Sequence, residues 1–170
     1  KDVVLFISIF AVFNGIGRPV FGWLTDRLSA KTAMLLSYAQ IITAAGLMLW
    51  AKNGSVGLFA AAFSIFWFNV GGWLAIAPTA TNNLYGPKHY SQNYGIVFTA
   101  YGIGAVLGVS SSGVLLDTFQ NYDYIFYLVI ASCLMGSLLT LMLLTGSRAY
   151  KNEVAAEKHL PDLAGRNSSH

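Results

Sequence analysis

The sequence is divided into long apolar stretches, each about as long as the ~20 residues that a helix needs to cross a bilayer. Five such stretches cover residues 3–24, 32–50, 56–80, 94–116 and 124–146. Short polar connections separate them. In hydrocarbon every backbone N–H and C=O group must be hydrogen bonded within the protein, which helices achieve along their own length. The pattern therefore predicts an all-α integral membrane protein with five transmembrane helices.

The composition supports a membrane protein and excludes several other classes. Hydrophobic residues make up 55% of the chain and charged residues 10%, whereas soluble domains carry about 25% charge. The net charge of +3 is small, which argues against nucleic acid as a partner and favours the lipid bilayer. The single cysteine, Cys133, rules out a disulfide framework and a cysteine metal cluster. Because the sequence holds no nucleophile–base arrangement, we expect no enzyme, no catalytic residue, no metal and no cofactor.

The basic residues predict how the chain is oriented. If the connection 25–31 is cytoplasmic, the opposite side holds only Lys1 and Lys52 as basic residues. The cytoplasmic side then holds Arg27, Lys31, Lys88, Arg148, Lys151, Lys158 and Arg166. This asymmetry follows the positive-inside rule and predicts a multi-pass protein of the cell (inner or plasma) membrane. Residues 147–170 are interpreted as a cytoplasmic tail, and their mixed charges predict disorder.

One charged residue lies deep inside the first apolar stretch. Arg18 has no Asp or Glu near it, and none occurs within any of the five stretches. An arginine in hydrocarbon costs about 3 kcal/mol on insertion scales, so it needs an anionic partner or a water-filled cavity. Its planar guanidinium binds a carboxylate through two parallel hydrogen bonds. We interpret Arg18 as the anion-binding residue of a membrane transporter; the alternative is a structural ion pair with a helix outside this sequence.

Other polar residues are predicted at a similar depth. At about 1.5 Å per residue, Arg18 lies about 9 Å from the cytoplasmic end of its stretch. The corresponding depths are about 10 Å for Tyr101, 12 Å for Gln40 and 16 Å for Asn69. Asn14 shares a helix face with Arg18, four residues earlier. These neutral donors are predicted to orient the anion. Two alternatives stay open: Asn69 and Gln40 hydrogen bond between helices, and Tyr101 packs in the core.

The connection after the first stretch carries a recognisable motif. The run Gly22-Trp23-Leu24-Thr25-Asp26-Arg27-Leu28-Ser29-Ala30-Lys31 resembles the G-x-x-x-D-[RK]-x-G-[RK]-[RK] loop of the major facilitator superfamily. It departs from that pattern at Ser29, where glycine is usual, and at Ala30, where a basic residue is usual. The resemblance implies that Gly22, Asp26, Arg27 and Lys31 form a cytoplasmic gate loop that contacts the other half of a transporter. The alternative is an ordinary turn that caps a helix and sets the topology.

Two further runs resemble one branch of that superfamily. They are Asn14-Gly15-x-Gly17-Arg18-Pro19-x-x-Gly22 and Ser91-Gln92-Asn93-Tyr94-Gly95, and they are similar to the oxalate:formate antiporter family and its monocarboxylate-transporter relatives. The resemblance covers about residues 3–146. It implies that the five helices are helices eight to twelve of twelve, and that the N-terminal half of the transporter lies outside this sequence.

The resemblance also suggests a substrate. Oxalate-type members hold a dicarboxylate with an arginine at the position of Arg18 and a lysine at the position of Tyr101. Two aromatic residues of their cavity correspond to Val70 and Leu74. Because one fixed positive charge suits one carboxylate, we expect secondary active transport of a monocarboxylate such as lactate or formate by alternating access. Proton-linked symport and anion exchange both fit. The alternatives are an oxalate or dicarboxylate:formate exchanger, and an anion sensor or assembly subunit that does not transport.

Overall fold

The structure, a computed structural model, describes residues 2–51 and 55–166 and is built from α-helices. The helices are α1 (Asp2–Arg27), α2 (Ala30–Trp50), α3 (Val56–Tyr85), α4 (Tyr90–Phe119) and α5 (Asp123–Arg166), with a short 3₁₀ helix at Pro87–His89. All five α-helices contain a segment that is long and apolar enough to cross a membrane, and no strand occurs in the described ranges. The predicted all-α fold with five membrane-spanning helices is confirmed.

The helices are packed unevenly. Helix α1 packs mainly on α3, and α2 lies between α3 and α5. The small core joins α1, α2 and α3 through Phe21, Ala33 and Ile76. Helix α4 has no buried residue along its whole length. Helices α1, α2, α3 and α5 therefore form the packed part of the described chain, whereas α4 stands at its edge.

Glycines bring α1 and α3 into backbone contact. A Cβ at Gly17 would overlap the carbonyl oxygen of Phe68, and a Cβ at Gly71 would overlap that of Asn14. Small residues permit such close approach between membrane helices, where dispersion contacts replace the hydrophobic effect as the main attraction. The contact fixes α1 against α3 at the residue immediately before Arg18.

The connection between the third and fourth helices is shorter than predicted. Helix α3 continues past residue 80 to Tyr85 and α4 begins at Tyr90, so most of the predicted connection 81–93 is helical. The Thr81 hydroxyl donates to the Ala77 carbonyl oxygen within α3 (2.8 Å). Gly86, with φ of 76°, ends the helix. The prediction differs because polar residues mark where the hydrocarbon ends, and a helix can continue beyond that point.

The fifth helix is longer than predicted. Helix α5 continues to Arg166, so residues 147–166 are helical where the sequence predicts a disordered tail. The segment Glu153–Lys158 reads Glu-Val-Ala-Ala-Glu-Lys, and Ala, Glu and Lys are strong helix formers. Residues 167–170 of the predicted tail lie outside the described residues. The cytoplasmic location of this segment stays a prediction.

Candidate anion site

Arg18 lies in the middle of α1 with its side chain exposed. Its neighbour Gly17 contacts Phe68 and Gly72, so Arg18 is level with the centre of α3. Within the described ranges, no side chain forms a hydrogen bond or an ion pair with Arg18. The guanidinium is therefore available to a group that is not part of these helices.

Asn69 is the centre of a buried hydrogen-bond network between α2 and α3. Its side chain is 1% exposed. The Ser37 hydroxyl donates to Asn69 Oδ1 (2.7 Å), and Asn69 Nδ2 donates to Gln40 Oε1 (3.1 Å) and to the Ile65 carbonyl oxygen (2.8 Å). A primary amide has two N–H donors, and both are used here. The structure thus shows the interhelical alternative for Asn69, which has no N–H group left for an anion.

Gln40 belongs to the same network as Asn69. Asn14 contacts α3 in a different way, through its backbone. The hydrogen bond between Asn69 Nδ2 and Gln40 Oε1 holds these two side chains next to each other. Gln40 borders a cavity of about 470 Å³ between α1, α2 and α3, and its oxygen rather than its nitrogen is engaged by Asn69. Asn14 is half-buried, and its backbone carbonyl lies against Gly71.

Tyr101 lies in a second cavity, between α3 and α4. This cavity has a volume of about 410 Å³ and is also bordered by Asn69. The Tyr101 side chain is 56% exposed, which is inconsistent with a packed core tyrosine within the described residues. Val70 and Leu74 line the same cavity, so the positions that the family resemblance groups with Tyr101 do meet in space.

The structure does not bring Arg18 into that cavity. Successive residues of α3 project about 100° apart around the helix. Phe68 and Gly72 contact α1, whereas Trp73 lines the cavity with Tyr101. Helix α3 therefore separates Arg18 from Tyr101, although both lie near the middle of their helices.

Sequence reasoning missed an aromatic row on α4. The ring centroids are 5.6 Å apart for Tyr90 and Tyr94, 6.0 Å for Tyr94 and Phe98, and 5.7 Å for Phe98 and Tyr101. The spacing of four, four and three residues places these rings on one helix face. That spacing was the available signal, and it identifies an aromatic wall rather than an isolated tyrosine.

The turn after α1 shows a capping role. Ser29 is the N-cap of α2: its Oγ accepts a hydrogen bond from the Thr32 backbone N–H (3.1 Å) and lies 2.9 Å from Thr32 Oγ1. Such a bond satisfies one of the N–H groups left open at a helix start. Ser29 is the position where the family motif has glycine, so this departure has a structural reason.

The predicted gate residues flank that cap in the sequence, before and after Ser29. The Arg27 guanidinium lies 5.7 Å from the centroid of the Trp23 ring. Asp26 is exposed and Lys31 is half-buried. A Cβ at Gly22 would lie 4.0 Å from the Ala75 Cβ on α3. The helix-capping alternative is present in the structure, and contact with another half of a transporter stays a prediction.

Comparison with known proteins decides the family. Residues 3–167 match the family model of the Major Facilitator Superfamily. The chain belongs to the major facilitator superfamily. Its five helices are a partial major-facilitator fold, and its relatives are transporters rather than enzymes.

Individual relatives agree with this assignment. Monocarboxylate transporter 14 of Mus musculus is 26% identical over 142 residues, covering 84% of this chain and 28% of the relative. Monocarboxylate transporter 9 of Rattus norvegicus is 30% identical over 136 residues, covering 80% and 27%. The uncharacterized MFS-type transporter YhjX of Escherichia coli (strain K12) is 28% identical over 102 residues, covering 59% and 25%. The chain spans between a quarter and a third of the length of these relatives. No solved structure matches it significantly.

Proposed function

We propose that this major-facilitator chain is part of a secondary transporter of small organic monocarboxylates, with Arg18 binding the substrate carboxylate. The observation that carries the proposal is the exposed Arg18 side chain in the middle of α1. The other Lys and Arg residues of the five spanning segments, Arg27, Lys31 and Lys88, lie at or next to segment ends. A cation at this depth is costly unless an anion or water compensates it. A transported carboxylate meets that need and explains why the arginine is present.

Alternating access accounts for the rest of the arrangement. In such transporters one half rocks against the other around a site near the middle of the membrane. We assign the carboxylate to Arg18, with Gln40 and Asn14 as candidate neutral donors near its level. Tyr101 borders a separate cavity across α3 and is not assigned to this carboxylate. Asn69 supports the site indirectly because it holds α2 on α3. The loop containing Asp26 and Arg27 is assigned to the cytoplasmic contact with the other half.

The oxalate or dicarboxylate exchanger is the weaker candidate. A dicarboxylate needs a second cation, and the position that the resemblance assigns to it is Tyr101, which is neutral and lies on the other side of α3 from Arg18. No Asp or Glu occurs within the five apolar stretches. A proton, if transport is proton-linked, is therefore carried by the substrate or by a residue outside this chain.

The substrate class is tested by competition in proteoliposomes that contain the complete transporter. Labelled lactate uptake is measured against formate, pyruvate, oxalate and succinate, with and without an inward proton gradient. We expect inhibition by the monocarboxylates alone. Strong inhibition by oxalate without gradient dependence identifies the dicarboxylate exchanger. Saturable binding with no uptake of any of these acids identifies the non-transporting sensor.

Arg18 itself is tested by replacement with lysine. We expect Arg18→Lys to reduce lactate uptake at least tenfold, because an ammonium group is a point charge and cannot form two parallel bonds to a carboxylate. Lys88→Arg is the matched control, since Lys88 is exposed in the short helix between α3 and α4, and its uptake should equal that of the wild type. Wild-type uptake in Arg18→Lys would remove Arg18 from the site.

A further inference from the structure

Pro19 leaves one backbone carbonyl of α1 without its helical partner. Proline has no backbone N–H, and Pro19 lies inside α1, so the carbonyl oxygen of Gly15 lacks the hydrogen bond from four residues later. We propose that this oxygen accepts a hydrogen bond from a hydroxyl group on the substrate carbon next to the carboxylate. The inference rests on the proposed function, since Arg18 holds that carboxylate, and it names 2-hydroxy acids as the preferred substrates.

No side chain of the described residues donates a hydrogen bond to the Gly15 oxygen in place of the missing one. Ser and Thr hydroxyls can satisfy a carbonyl that proline frees, but residues 9–24 contain neither. Gly15 lies two residues before Gly17, about 200° around the helix, and Gly17 is the residue that contacts α3. The Gly15 carbonyl is therefore turned away from the α1–α3 contact and is open to a ligand.

The glycine at position 15 has no packing reason within the described chain. A Cβ at Gly17 would overlap the Phe68 carbonyl oxygen, whereas no other helix lies within 4 Å of a Cβ built at Gly15. Gly15 is also exposed. A residue without a side chain lets a ligand approach its backbone closely. Recognition of a ligand by the backbone thus accounts for a glycine that helix packing does not require.

The Gly15 oxygen and Arg18 lie on one side of α1. Residues three apart are neighbours on a helix surface. Helical carbonyl groups point toward the C-terminal end of the helix and side chains tilt toward its N-terminal end. The oxygen therefore points toward the turn that carries Arg18, and both groups lie within about one turn, ~5.4 Å along the axis. A ligand that bridges them is compact, with its donor on the carbon next to the carboxylate.

The hydrogen-bonding character of these two groups selects among small acids. The guanidinium of Arg18 only donates hydrogen bonds, and the Gly15 carbonyl oxygen only accepts them. Lactate carries an accepting carboxylate and a donating hydroxyl on adjacent carbons, so it matches both groups. Propionate has no hydroxyl and leaves the carbonyl unpaired, and the 2-oxo group of pyruvate is a second acceptor. The arrangement therefore favours lactate over both acids.

The first test compares these acids in proteoliposomes that contain the complete wild-type transporter. Uptake of labelled lactate, propionate and pyruvate is measured, and kcat/KM is determined for each. We expect the value for lactate to be about fivefold higher than the other two, which corresponds to one net hydrogen bond. Equal values for all of them would overturn hydroxyl recognition and leave monocarboxylate transport intact. Uptake of none of them would refute the proposed function, and this inference with it.

The second test restores the missing hydrogen bond. Pro19→Ala supplies a backbone N–H for the Gly15 oxygen, so the ratio of lactate to propionate uptake should fall about fivefold. Pro78→Ala is the matched control, because it removes the proline inside α3 and leaves α1 unchanged. Its ratio should equal that of the wild type.

Two results with these variants would overturn the proposal. An unchanged ratio in Pro19→Ala would place hydroxyl recognition elsewhere in the transporter. Equal falls in Pro19→Ala and Pro78→Ala would attribute the preference to helix bending rather than to the Gly15 oxygen. If Pro19→Ala does not fold, the wild-type comparison of lactate with propionate decides the proposal.

Discussion

Glycines in α1 and in α4 stand in opposite surroundings. A Cβ at Gly17 of α1 would overlap the backbone of α3, whereas nothing lies within 4 Å of a Cβ at Gly104 or Gly108 of α4. Both helices are apolar and glycine-rich, yet one contact is complete within the chain and the other is open. Small residues therefore indicate that a helix can make a close contact, but they do not identify its partner.

The comparison also separates two kinds of stabilisation. Helices α1, α2 and α3 are joined by backbone contact, a small core and the Asn69 network. Helix α4 contributes aromatic pairs along its own surface and little packing against the rest of the chain. Substitutions in the first region should therefore change stability, and equivalent substitutions on α4 should change it only where an additional helix is present.

The largest effect is expected for Gly17→Ala in the complete transporter. The added methyl group overlaps the Phe68 carbonyl oxygen, so α1 must shift from α3 at a cost of about 2–3 kcal/mol, in the range of overpacked sites. Gly15→Ala is the matched control, because nothing lies within 4 Å of a Cβ there. Thermal unfolding in detergent measures both. Equal melting temperatures for the two variants would contradict the close α1–α3 contact.

A smaller effect is expected for Asn69→Leu. The substitution leaves Ser37 and Gln40 without their buried partner, and side-chain hydrogen bonds between membrane helices contribute about 0.6 kcal/mol on average and up to about 1.7 kcal/mol. We expect a loss of about 1 kcal/mol in the same unfolding assay. Thr99→Val on α4 is the control, since the Thr99 hydroxyl bonds only within its own helix. If Thr99→Val is as destabilising as Asn69→Leu, the network does not join the helices.

The smallest effect is expected at the helix caps. Ser29→Ala removes the N-cap of α2 and should cost about 0.5–1 kcal/mol, while Ser29→Gly should cost only a few tenths. At the start of α4, His89 makes no side-chain capping bond, so His89→Ala should leave the unfolding temperature unchanged. A measurable loss in His89→Ala would show that the two helix starts do not differ as described.

Much of the fold follows from local sequence properties. The number of helices and the all-α class follow from the apolar stretches, because hydrocarbon requires each segment to satisfy its own backbone. The helix ends were less predictable at Tyr85 and Arg166. Polar residues indicate where the chain meets water, whereas a helix ends where its backbone turns, as at Gly86.

The candidate site was only partly predictable. The amino-acid sequence shows directly that Arg18 is the one charged residue within the five apolar stretches. The packing of the helices was needed to show that Asn69 donates both of its N–H groups to Gln40 and Ile65, and that α3 lies between Arg18 and Tyr101. Depth along a helix is a one-dimensional quantity that residue counting supplies. The direction around the helix and the partner of each donor depend on how the helices pack, which no single stretch encodes.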